Sequence, residues 1–119
     1  MLSPTTFSGL YKSTNSGVNF TRITNSPNIL LDQSGAGTGP DQSYYDLGIT
    51  ASPTDANKIA TCGLVVWRSS NGGVKMDSAT DYAEVTTTMS RYIHPDVHDI
   101  QYNSLTGYLY AASDGGSFR

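Results

Sequence analysis

Apolar and polar residues alternate in short runs along the chain, and Gly, Pro, Asn, Asp and Ser break the runs every few residues. A period of two puts alternate side chains on opposite faces of a strand, whereas an amphipathic helix needs apolar residues at roughly every third or fourth position over several turns. No segment sustains the helical period. The alternation predicts short strands over 45–50, 58–61, 64–69, 74–76, 98–103, 108–112 and 117–119, with the polar clusters between them as turns.

The pattern repeats. "YKSTNSGVNF" at 11–20 returns as "WRSSNGGVKM" at 67–76, aligning Lys12, Ser13, Asn15, Gly17 and Phe20 with Arg68, Ser69, Asn71, Gly73 and Met76. Phe118 and Arg119 then stand where Tyr11 and Lys12, and later Trp67 and Arg68, stood before. Between these copies, "YYDLGITASPTDANKIATCG" and "VHDIQYNSLTGYLYAASDGG" each supply an acidic residue, an alternating strand, a turn and a second strand, which aligns Asp46 with Asp99. The repeat is roughly 50 residues long, and four short strands in such a unit match a propeller blade. The expected architecture is therefore all-β, a propeller segment of about two four-stranded blades. The blade-like units run over 9–67 and 68–119, with no separate second domain.

In Ser-x-Asn-x-Gly, the Ser and Asn side chains can bond nearby backbone groups and close a hairpin, while Gly accepts a positive φ. Ser13, Asn15, Gly17, Ser69, Asn71 and Gly73 are thus expected to be structural, with Phe20, and Met76 in the second copy, tucked beneath the blade edge. Ser13-Asn15-Gly17-Phe20 and Ser69-Asn71-Gly73-Met76 resemble the Asp-box, or BNR repeat, of sialidases, sortilin-type ectodomains, xyloglucan-degrading propellers and photosystem-assembly propellers. Asn stands where Asp is usual, and Met76 replaces the usual Trp or Phe. The stretches 8–30, 44–73 and 92–119 are similar to successive blades of large secreted propeller proteins, frequent in Bacteroidetes, that carry a C-terminal sorting domain. That resemblance implies an extracellular or cell-surface setting and a longer parent protein.

Composition narrows the function. The chain has 119 residues, 37% hydrophobic and 14% charged, with a formal charge of −3. No cluster of Lys or Arg marks a nucleic-acid partner. No apolar run is long enough for a membrane span, so no membrane insertion is expected. The first residues, "MLSPTTFSGL", lack the basic and apolar regions of a signal peptide. Cys62 is the single cysteine, so no intrachain disulfide forms. Serine nucleophile elbows, phosphate loops and paired-Cys motifs are absent, and no cofactor is expected.

Two stretches carry candidate chemistry. If "HPDVHD" at 94–99 is extended, His94, Asp96 and His98 share one strand face and could hold a divalent metal. Pro95 interrupts regular pairing and no further His or Cys supports the cluster, so no metal is assigned. These three residues, with Tyr45, are instead expected to line a channel and bind a ligand. Asp46 and Asp99, at equivalent places in adjacent blades, could serve as the two carboxylates of a glycoside hydrolase. Structural residues recur with a repeat while catalytic ones break it, and both acids obey the repeat. The chain is thus read as a non-catalytic binding or scaffold segment whose partner is a polysaccharide or a surface protein. A polysaccharide-active hydrolase fragment is the alternative. Two blades cannot close a ring, so the chain is expected either to complete blades as a homo-oligomer or to belong to a longer chain.

Overall fold

A computed structural model of the chain describes residues 7–32, 34–36, 41–82 and 91–119. The leader expectation for residues 1–6 lies outside the described residues. Within them the chain is all-β, with no α-helix and three small antiparallel sheets. The first sheet pairs β1 (Leu10–Lys12) with β2 (Thr21–Thr24). The central sheet runs in the order β3 (Gly48–Ala51), β4 (Ile59–Cys62), β5 (Val66–Ser69) and β6 (Asp77–Ser78). The third contains β7 (Val97–Tyr102), β8 (Leu109–Ser113) and β9 (Gly116–Phe118).

Each strand pairs with its sequence neighbour, because the turns are short and rich in residues that bond their own backbone. Asp55 Oδ1 accepts from the Asn57 N–H in the β3–β4 turn, and Asn103 Oδ1 accepts from the Leu105 and Thr106 N–H groups in the β7–β8 turn. Two expected elements move. The strand expected at 45–50 begins at Gly48, because residues 42–46 form a turn in which the Tyr45 and Asp46 N–H groups both donate to the Gln42 carbonyl. The strand expected at 74–76 is displaced to β6, because the Ser69–Lys75 turn occupies those positions. β1 and β2 were not foreseen.

Strand register shows how the sheets stack. Ile49, Thr61 and Trp67 lie side by side across β3, β4 and β5, and Ile100, Ala111 and Phe118 form the matching row across β7, β8 and β9. Period-two alternation sends Ala60, Cys62 and Val66 to the other face of the central sheet. There they form a core with Ile93, Val97 and Ile100, flanked by Ala111 and Phe118. Trp67 and Met76 face the first sheet, in a second core with Ile29 and Val65 that Phe7, Leu10 and Leu30 flank. The central and third sheets approach closely at Gly48, where a Cβ would stand 3.4 Å from Ile100 Cγ2.

The rows have unequal cover. Ile100 is 3% exposed, whereas Ile49, its counterpart in the central sheet, is 62% exposed because the first sheet supplies no strand over it. The sequence unit boundary at 67–68 also falls within β5, so sequence repeat and sheet are out of phase.

Candidate functional site

Both Ser-x-Asn-x-Gly turns carry the same hydrogen bonds. In the β1–β2 turn, Ser13 Oγ donates to Asn15 Oδ1 at 2.9 Å and accepts from the Asn15 and Gly17 N–H groups at 3.2 and 2.8 Å. Asn15 Oδ1 also accepts from the Asn19 N–H at 2.9 Å. In the β5–β6 turn, Ser69, Asn71, Gly73 and Lys75 repeat these contacts at 2.9, 3.2, 3.0 and 2.9 Å. Gly17 and Gly73 have φ of 86° and 91°, a region closed to most side chains. The aromatic anchor departs from expectation. Met76 is 3% exposed against the first sheet, but Phe20 is 62% exposed, because no described element lies where its neighbour would be.

A cluster of ionisable groups lies at the edge where the first strands of the central and third sheets begin. The 42–46 turn sets Asp46 two residues before β3, with its carboxylate 1% exposed and neither oxygen bonded among the described residues. Burial pushes its carboxyl up to about 6, aided by the Asp96 and Asp114 charges and opposed by His98. Desolvation dominates because the buried carboxylate loses its hydration, a loss that the His98 charge and its own backbone N–H only partly offset. His98 Nε2 lies 2.8 Å from Asp114 Oδ1, and the Tyr45 ring meets the His98 ring edge-on at 4.7 Å. Gln42 Nε2 donates to Asp96 Oδ1 at 3.3 Å.

The backbone that holds this cluster also joins the two sheets. Asp96 takes a left-handed φ of 60°, a conformation Asp tolerates better than most residues. The bend lets the Val97 N–H donate to the Gly63 carbonyl at 2.8 Å and the Asp96 carbonyl accept from the Asp114 N–H at 3.3 Å. His94 and Asp96 therefore precede β7 and do not share a strand face with His98, which corrects the extended reading of 94–99. His94 instead packs against the β8–β9 turn, where a Cβ on Gly115 would clash with the His94 side chain. Among the described residues, no group of three or more His, Cys, Asp or Glu is placed to hold a metal ion.

Asp46 and Asp99 both lie near Cys62, whose thiol their charges help to raise. Asp99 turns its carboxylate to its own strand, accepting from the Ile100 N–H at 2.8 Å and from Gln101 Nε2 at 3.4 Å. Asp99 lies beside Ala112 in the ladder, the place Gly48 takes beside Cys62. A bulge between Val97 and Asp99 adds one residue to β7, so the counterpart of Asp46 is Asp96. Gln42 and Asp114 carried no signal in the sequence: both enter the cluster from turns. Cys62, beneath it, has its thiol pushed by burial up to about 11, which keeps it protonated and inert.

Among the described residues, no helix is long and apolar enough to cross a membrane. Comparison of the chain with protein-family models, with curated proteins and with solved structures found no match.

Proposed function

We propose that the chain is a non-catalytic scaffold and binding segment of an extracellular Asp-box β-propeller. The edge carrying Tyr45, His94, Asp96 and His98 would present it to a glycan or a surface protein. The observation that carries this reading is the pair of Ser-x-Asn-x-Gly turns, whose four hydrogen bonds agree to within 0.2 Å. In the central sheet that turn joins the last two of four strands. By the same geometry β1 and β2 are the last two strands of one blade, and β7, β8 and β9 are the first three of another. The missing inner strands of the first blade account for the apolar groove of 500 Å³ that Leu10, Ile29, Leu47 and Ile49 line.

A neighbouring copy supplies those strands if β1 of one chain takes the place beside β8 of the next that β9 fills within a single chain, a head-to-tail contact that closes when the rotation permits. Light scattering of the purified chain at micromolar concentration tests this. A defined mass of three or four copies, giving six or eight blades, is the expected result, and aggregation without a defined mass would favour a piece of a longer propeller. A monomer that melts cooperatively would overturn the two-blade reading.

The hydrolase reading draws on one observation, a carboxyl at Asp46 that titrates near 6, as a general acid does. At 1% exposure Asp46 has no access to a glycosidic oxygen, which favours the scaffold. Reducing-sugar release from xyloglucan that Asp46→Asn abolishes would reverse that judgement.

A further inference from the structure

A cavity of 470 Å³ lies between β5–β6 and β8–β9, away from the edge that carries Asp46. Three of the four arginines in the chain line it, Arg68, Arg91 and Arg119, and no described Asp or Glu does. Val66, Ile93, Leu109 and Phe118 give it an apolar wall. In a chain of net charge −3, this is a local concentration of cationic groups around an apolar surface.

The arginines differ in how they are held. Arg91 is fixed by Nη2 donating to the Ser78 carbonyl at 2.6 Å and Nε donating to the Ala79 carbonyl at 3.3 Å. Its remaining N–H groups are unused by these bonds, since a guanidinium carries five donors. Arg119 stacks over Tyr108, 4.7 Å from the ring centroid. The Arg68 guanidinium makes no hydrogen bond or ion pair with a described residue; Asp77, opposite it in the ladder, pairs with Lys75 at 2.7 Å. Stems laid along an apolar surface with their heads in water would explain Arg68 and Arg119. Such snorkelling does not explain a third guanidinium tethered in one orientation at the same cavity. Like charges gathered there repel, and an anion relieves the repulsion.

We infer that this cavity binds a ring-bearing organic carboxylate, the carboxylate held by Arg91 and Arg68 and the ring laid on the Val66–Phe118 wall. A guanidinium presents paired donors that match the two oxygens of a carboxylate. The volume suits a small-molecule site, which typically falls in the range of roughly 300 to 1,000 Å³. The inference is independent of the propeller reading, since it uses only the gap between two described sheets.

Titration of the whole ¹⁵N-labelled chain with benzoate, followed by amide shifts, tests it. Benzyl alcohol serves as the neutral ring and acetate as the ringless carboxylate. Saturable benzoate shifts at Val66, Ile93 and Leu109 are expected, with affinity about tenfold above either control. Arg68→Gln, which removes no internal bond, should weaken benzoate about tenfold, while Lys12→Gln, on β1, should leave it unchanged. Absence of saturable binding, equal affinity for benzyl alcohol or acetate, or an Arg68→Gln chain that binds as the parent does would each overturn the inference.

Discussion

Gly73→Val should destabilise the chain by about 3 kcal/mol or more, and Gly17→Val by about 1 to 2 kcal/mol, although both glycines close the same turn. The shared part of the loss is backbone strain. Both residues sit near φ of 90°, where a β-branched side chain costs about 1 to 3 kcal/mol. The difference lies in what surrounds them. A Cβ at Gly73 would come within 2.5 Å of Leu10 Cδ2 and 3.1 Å of Ile59 Cδ1, whereas at Gly17 the nearest atom is Phe20 Cζ at 4.0 Å. Gly73 is pressed between the first and central sheets, so valine there adds an overpacking cost of about 1 to 3 kcal/mol. Ser16→Ala, in the exposed β1–β2 turn, should be near neutral. Urea unfolding of the three variants at one pH measures the series. Equal midpoints for all three would reject the shared turn geometry, and equal losses at the two glycines would reject the packing of β1 on the β5–β6 turn.

The same contrast explains how far the sequence could be read. Strand-rich class, approximate strand positions from β3 onward and the two Ser-x-Asn-x-Gly turns were all readable, because alternation and turn chemistry act over a few residues. β1 and β2 escaped because "LYK" and "TRIT" are too short and polar to alternate convincingly, and they pair only because the Ser13–Asn19 turn between them folds back. Equating Asp46 with Asp99 failed for another reason. A bulge inserts a residue without leaving a mark on composition, and only the ladder shows that Asp96 takes the equivalent place. Phe20 and Met76 look interchangeable in sequence, yet one is exposed and the other buried, because burial there depends on a sheet contributed by distant residues. Nor could spacing show that Arg68, Arg91 and Arg119 meet at one cavity, since they come from a strand, a connection and the end of the third sheet.

Asp46→Asn should change the pH dependence of stability more than any other single substitution in the carboxylate cluster. The Asp46 carboxyl rises from 3.8 to about 6 on folding, first through burial and then through the Asp96 and Asp114 charges. Between those two values the folded chain keeps a proton that the unfolded chain has released, so stability falls as pH rises. The contribution is fully present below about 3.8 and lost once pH has passed through about 6. Two pK units correspond to about 3 kcal/mol, taken as an upper figure because local opening would hydrate the carboxylate. Asp32 works in the opposite sense. Hydrogen bonds from Ser34 hold its carboxyl below the usual value, so its contribution is present above 3.8 and lost as pH falls through its lowered value. The difference between parent and Asp46→Asn cancels that background. It should shift by up to about 3 kcal/mol in favour of the variant between pH 4 and pH 7, whatever fixed cost the amide carries. Asp96→Asn should move the midpoint of the parent's decline to lower pH by removing a like charge, and His98→Gln should move it higher by removing the opposing one. Denaturant unfolding of the four chains at half-unit pH intervals decides the matter, and parallel stability curves for the parent and Asp46→Asn would show that Asp46 carries no raised carboxyl.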